Sequence, residues 1–165
     1  MKKALTFALM ATLAQPATAG NTARTTTVDP ALMAGLSAWL DTNSEFAKRD
    51  TTPAIRFIDE ARAEDLHGVE DRSGGRIRGL YDAEAETIYL TKPWSPDNPR
   101  DVSVLLHEMV HHRQADLHWY CEQAQEWRAY KLQSQWLADQ GLKDDFYWPA
   151  IVLKSSCTKR DIHPG

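Results

Sequence analysis

The chain has 165 residues and a formal charge of −4 at neutral pH, with 25% charged and 42% hydrophobic residues. That length suits one domain with a real core. Mild acidity without a dense basic stripe argues against nucleic acid or an anionic membrane as the main partner.

Met1-Lys2-Lys3 is a short basic head, and residues 4–14 are an apolar run too short to span a bilayer. Ala17-Thr18-Ala19 follows Pro16 as a small-x-small pattern, which predicts a signal peptide over residues 1–19 cut before Gly20. The mature protein is then expected in the periplasm or outside the cell, with no stable membrane insertion. Residues 20–28 are rich in Thr and Asn without periodicity and read as a flexible leader. Residues 29–165 read as a single domain without internal repeats.

Asp29-Pro30 has the form of an N-cap with proline at the first helical position. Leu32, Leu36, Trp39 and Leu40 follow at helical spacing, so a helix to about Thr42 is expected. Residues 54–58 ("AIRFI") alternate after Pro53 and read as a short strand. The run "DEARAEDLHG" from Asp59 reads as a helix stopping at Gly68. Residues 77–81 and 87–91 are rich in β-favouring types around the polar "DAEAE", which predicts a hairpin or a pair of adjacent strands. Gly74-Gly75 marks a bend before it.

Asn98-Pro99-Arg100-Asp101 is a strong helix start, and the helix should run to about Gln114. Val102, Val104, Leu105, Leu106, Met109 and Val110 cover more than one of its faces, the mark of a buried central helix. A long helix over residues 121–140, ending at Gly141, and a last one over 146–155 with Pro149 in its first turn complete the chain. The expected class is α+β: a small antiparallel sheet on a central helix, followed by C-terminal helices. Cys121 and Cys157 favour one disulfide in an oxidising compartment, closing a loop of about 35 residues. A rival role for Cys121 is metal ligation, since it follows His111 by ten positions.

The chemistry sits in "LLHEMVHH", residues 105–112. His107 and His111 stand at i and i+4, so a helix projects both imidazoles from one face, within reach of one metal ion. Glu108 lies about 100° around the helix, close enough to meet a water there without coordinating. Two histidines and a glutamate on an otherwise apolar helix are costly to bury without a partner, and one Zn2+ ion satisfies all three. A catalytic zinc site takes a third protein ligand. A glycine and third histidine would fall at 114 and 117, where the chain has Gln114 and Leu117, so that pattern is excluded; His118 is one place out of register. The remaining option is a carboxylate from the next helix. Glu126 starts a stripe through Ala129, Tyr130, Gln133, Trp136 and Leu137 that suits packing on the histidine helix. Glu122, at that helix's first turn, is the alternative third ligand or an outer partner.

"LLHEMVHH" followed by "EWRAY" resembles the zincin metallopeptidases of glutamate-ligand kind, the gluzincins. "GLYDAEAETIYL" and "AYKLQSQWL" on either side resemble small exported bacterial zincin-like proteins of unassigned function. The likeness covers residues 76–137, and the link from His111 to Glu126 is shorter than in larger gluzincins. It implies that the sheet's edge strand, 87–90 or 77–81, holds substrate by backbone pairing.

The residues themselves imply a mechanism of peptide hydrolysis. Zinc lowers the pKa of a coordinated water towards about 7, and Glu108 accepts the proton during attack on a peptide or protein substrate. Candidates for a second electrophile are Tyr130, Tyr81, Tyr120 and His118. His112 is expected to point away from the metal, and Arg113 and Gln114 read as a solvated helix end. A non-catalytic zinc-containing binding module of the cell envelope is the alternative function.

Overall fold

A computed structural model describes residues 27–67 and 76–157, apart from the Glu122 side chain. The expected signal peptide, nearly all of the leader and the Gly74-Gly75 bend lie outside the described residues. Five α-helices, one 3-10 turn and three strands occur within them: α1 (Pro30–Asn43), β1 (Ala54–Ile58), α2 (Glu60–His67), β2 (Gly79–Asp82), β3 (Thr87–Thr91), α3 (Pro99–Gln114), the turn Glu122–Gln125, α4 (Glu126–Asp139) and α5 (Trp148–Lys154). No helix among the described residues is long and apolar enough to cross a membrane.

Both proline starts behave as the sequence requires. The Asp29 carboxylate accepts from Ala31 N–H at 2.8 Å, and the Asn98 side chain accepts from Arg100 N–H at 3.1 Å. Each satisfies a backbone donor that the first turn leaves without an intrahelical partner. The class is α+β, as expected, but the sheet is mixed rather than antiparallel. Its order is β1-β3-β2, with β1 parallel and β2 antiparallel to β3. The connection through α2 brings β1 alongside β3 in the same direction, a crossover that strand periodicity does not reveal. β3 is therefore the central strand and not an edge, which removes residues 87–90 from the edge role and leaves β2.

β2 begins at Gly79, two residues later than expected, and its hairpin closes through Glu86 at a φ of 44°. α4 begins five residues later than expected, after a 3-10 turn whose preceding residue, Cys121, is extended. Cys121 is disulfide-bonded to Cys157, which ties the segment before α4 to the end of α5 and excludes Cys121 as a metal ligand. α5 is shorter than expected because Pro149 has no N–H and belongs in a first turn, so the helix starts at Trp148.

α3 packs on α4 on one side and on β2 and β3 on another, and α1 also touches it. Its Leu105, Leu106 and Val110 are fully buried with Ile88 and Leu90 of β3, Leu40 of α1 and Leu132 and Leu137 of α4. The core thus wraps the helix that carries the histidines. Side chains there are held by packing on several sides, which limits their freedom to rearrange.

Candidate metal centre

His107 and His111 meet one helical turn apart, with their Nε2 atoms 3.0 Å from each other. The close packing of α3 on α4 over fully buried Ala129 brings the first residue of α4 to them. Glu126 Oε2 lies 3.3 Å from His107 Nε2, and Glu126 Oε1 lies 3.3 Å from His111 Nε2. These donor atoms all fall within 4.8 Å of one another, and they are the only such group of His, Cys, Asp and Glu among the described residues. The arrangement could hold a metal ion.

The hydrogen bonds behind the imidazoles fix which nitrogen each ring presents. Gln114 Nε2 donates to the Gln125 carbonyl at 3.2 Å, so its Oε1 is the atom facing His111 Nδ1 at 3.0 Å. A carbonyl only accepts, so the amide orientation follows, and His111 Nδ1–H must be the donor. The same logic runs through α4. Ser103 Oγ–H donates to the Arg100 carbonyl at 2.8 Å and accepts from Gln133 Nε2 at 3.0 Å. Gln133 Oε1 is then left to accept from His107 Nδ1–H at 3.0 Å. Both rings therefore turn Nε2 towards Glu126, in the tautomer a metal ligand needs.

Three Lewis-base atoms so close repel one another unless a cation lies among them. Without a metal, a proton takes that role. Burial alone would lower the His111 pKa, but the hydrogen bond and charge of Glu126 outweigh it and push the value up to about 9. Burial works against the Glu126 carboxylate too, yet its hydrogen bonds to His107 and His111 hold it well below the usual carboxylate range.

Glu108 is only 5% exposed, and its carboxylate has no hydrogen-bond partner among the described residues. Burial raises its pKa, opposed by the charges of His107 and His111 and reinforced by that of Glu126. It fits under the sheet because of Gly79. A Cβ there would stand 2.5 Å from Glu108 Oε1 and 2.7 Å from Val104 Cγ1. The close approach of β2 to α3 thus needs a residue without a side chain.

The other expected residues divide. Tyr130 packs edge-on against His107, with ring centroids 4.6 Å apart. Tyr81 lies elsewhere: its hydroxyl is 2.9 Å from His112 Nδ1 and accepts from Arg49 at 3.3 Å, so it is held at the opposite side of α3. Tyr120 is 76% exposed, His118 is also exposed, and neither belongs to the donor group. The Glu122 side chain lies outside the described residues.

His112 does point away from the donors, but into the fold rather than towards solvent. Its Nε2 is 3.2 Å from the Thr51 carbonyl. Arg113 and Gln114 are buried, which corrects their reading as a solvated helix end. Arg113 donates to Asp41 Oδ1 at 2.6 Å, to the Phe46 carbonyl at 3.1 Å and to Ser37, because α1 and its following loop cover this end of α3. Gln114 and Gln133 are the functional residues that sequence reasoning missed. The only signal for them was a polar amide inside each apolar stripe.

No curated protein and no solved structure matches this chain. Residues 25–165 match the family described as a domain of unknown function, DUF6647, and the chain belongs to that family.

Proposed function

We propose that this protein is a zinc-dependent metallohydrolase that cleaves peptide bonds, with His107, His111 and Glu126 holding one zinc ion and Glu108 as general base. The observation that carries this reading is the convergence of three metal-type donors, both imidazoles turned to offer Nε2, beside a buried carboxylate with no hydrogen-bond partner among the described residues. Two imidazole nitrogens and one carboxylate oxygen are an ordinary catalytic donor set for zinc. When bound, a zinc ion supplies Lewis acidity to a water molecule and to a substrate carbonyl oxygen.

The protein's own groups do the rest. Gln114 and Gln133 hold the two rings in place through Nδ1–H. Glu108, with its pKa raised by burial, takes a proton from the attacking water and returns it to the leaving amine. Val104 and the backbone of Gly79 pack close to that carboxylate.

A zincin-like arrangement, with β2 as the substrate-binding edge, is part of the same proposal. The bond from Thr91 N–H to the Arg78 carbonyl, 2.9 Å, sets the phase of the β2–β3 ladder. In that phase the backbone groups of Gly79 and Tyr81 turn away from β3. An extended peptide added there would run past Glu108. The exported location proposed from residues 1–19 is consistent with the disulfide, since such bonds persist in oxidising compartments. A peptide or protein is the proposed substrate and nucleic acid is not.

A non-catalytic zinc module is the competing function. Structural zinc is normally closed by four protein ligands. Three converge among the described residues, and a fourth, such as Glu122, would favour the module. Metal analysis of the purified protein, with a peptide-library cleavage screen, tests the proposal. One zinc per chain and cleavage lost in Glu108→Gln with zinc retained is the expected result. Zinc without any cleavage would leave the binding module, and protein that neither binds zinc nor changes stability in chelator would end both readings.

A further inference from the structure

A cavity lies on the side of α3 facing away from the donors. It has a volume of about 520 Å3 and is bounded by α1, the loop before β1, β1 and α3. Small-molecule sites typically have roughly 300–1,000 Å3. Met109 and His112 are the floor, about 200° and 140° around the helix from His107. Met33, Ile55 and Phe57 give it apolar walls.

Its buried polar groups already have partners. His112 is engaged by Tyr81 and the Thr51 carbonyl. Arg49 is paired with Asp116 and Glu86, and Arg113 with Asp41. Among the lining side chains three polar groups remain without a described partner: the Lys48 ammonium and the hydroxyls of Thr27 and Thr52. All three residues are exposed, so they sit at the solvent end. No carboxylate lines the cavity. An occupant that suits these side chains is apolar within, where each lining polar side chain already has a partner, and carries one negative charge at the mouth. With the arginines compensated, the single free charge of Lys48 matches one carboxylate.

We propose that this cavity binds a fatty acid, with its chain against Met33, Ile55, Phe57 and Met109 and its carboxylate at Lys48 and Thr52. The site is independent of the metal centre, although both use α3.

Titration calorimetry of the disulfide-bonded protein with dodecanoate, below its micelle concentration, tests the proposal. Saturable binding of one dodecanoate per chain is expected. Dodecanol should bind at least about tenfold more weakly, as should dodecanoate to Lys48→Glu, for loss of one charge-assisted hydrogen bond. Ala34→Trp blocks the cavity from an exposed position of α1 and should also weaken binding at least about tenfold. Unchanged thermal midpoints of both variants establish that they fold. Absence of saturable binding, binding that ignores Ala34→Trp, or equal affinity for dodecanol and dodecanoate overturns the proposal.

Discussion

His111 and His112 are neighbours in the chain and opposites in the fold. Both ring nitrogens of His112 have partners within the protein, the Tyr81 hydroxyl at 2.9 Å and the Thr51 carbonyl at 3.2 Å. His111 meets a neutral side-chain carbonyl at Nδ1, but its Nε2 faces the His107 ring nitrogen and the Glu126 carboxylate. A buried histidine with a hydrogen-bond donor at one nitrogen and a carbonyl at the other is satisfied within the fold. One whose second nitrogen is turned onto other bases needs a cation from outside. Two adjacent residues thus differ in whether the fold itself satisfies them.

Removing a donor should break the comparison most sharply. His111→Ala is expected to lose zinc binding altogether at micromolar metal, while His112→Phe keeps one zinc per chain; metal analysis after dialysis reads both. Next comes Gly79→Ala. Its Cβ would collide with Glu108 Oε1, so cleavage in a peptide assay should fall by about 10–100-fold while zinc content stays at one. Equal loss of zinc would show that the strand positions the ligands rather than the base.

Gln133→Leu removes the acceptor behind His107 and should weaken zinc binding about 10–100-fold by competition with a chelating dye. Replacement by Glu, which also accepts, should restore most of the affinity.

The smallest effects concern stability and pH. His112→Phe leaves the Tyr81 hydroxyl and Thr51 carbonyl without their partner and should cost about 1–3 kcal/mol in urea unfolding. Burial depresses the His112 pKa below 6.5, so its contribution is present above pH 6.5 and lost as pH falls towards the depressed value. His111 in metal-free protein has the opposite sign. Its pKa of about 9 exceeds the unfolded 6.5, so its contribution is full below pH 6.5 and lost as pH rises through 9. Zinc bound there would displace that proton, and calorimetry in two buffers at pH 7.5 should detect about one proton released per ion.

Local signals carried much of the fold. The Asn98-Pro99 start, the apolar run to Val110 and the i, i+4 spacing made α3 and its histidine pair readable, because a helix repeats its geometry every turn. The stripe from Glu126 through Gln133 pointed to the face of α4 that meets α3. Where this reading failed, distant chain segments decided. β1 joins β3 in parallel through a crossover, which makes β3 central. Arg113 and Gln114 look like a helix end in solvent, but α1 and the turn before α4 close over them.

By itself the sequence determined which residues could be donors, since side-chain chemistry and helical period are local properties. Only the tertiary structure decided that Glu126 meets both imidazoles, that Gln114 and Gln133 set their tautomers, and that His112 is fully partnered. Those facts depend on distances between segments far apart in the chain, and such distances are set by packing rather than by any neighbouring residue.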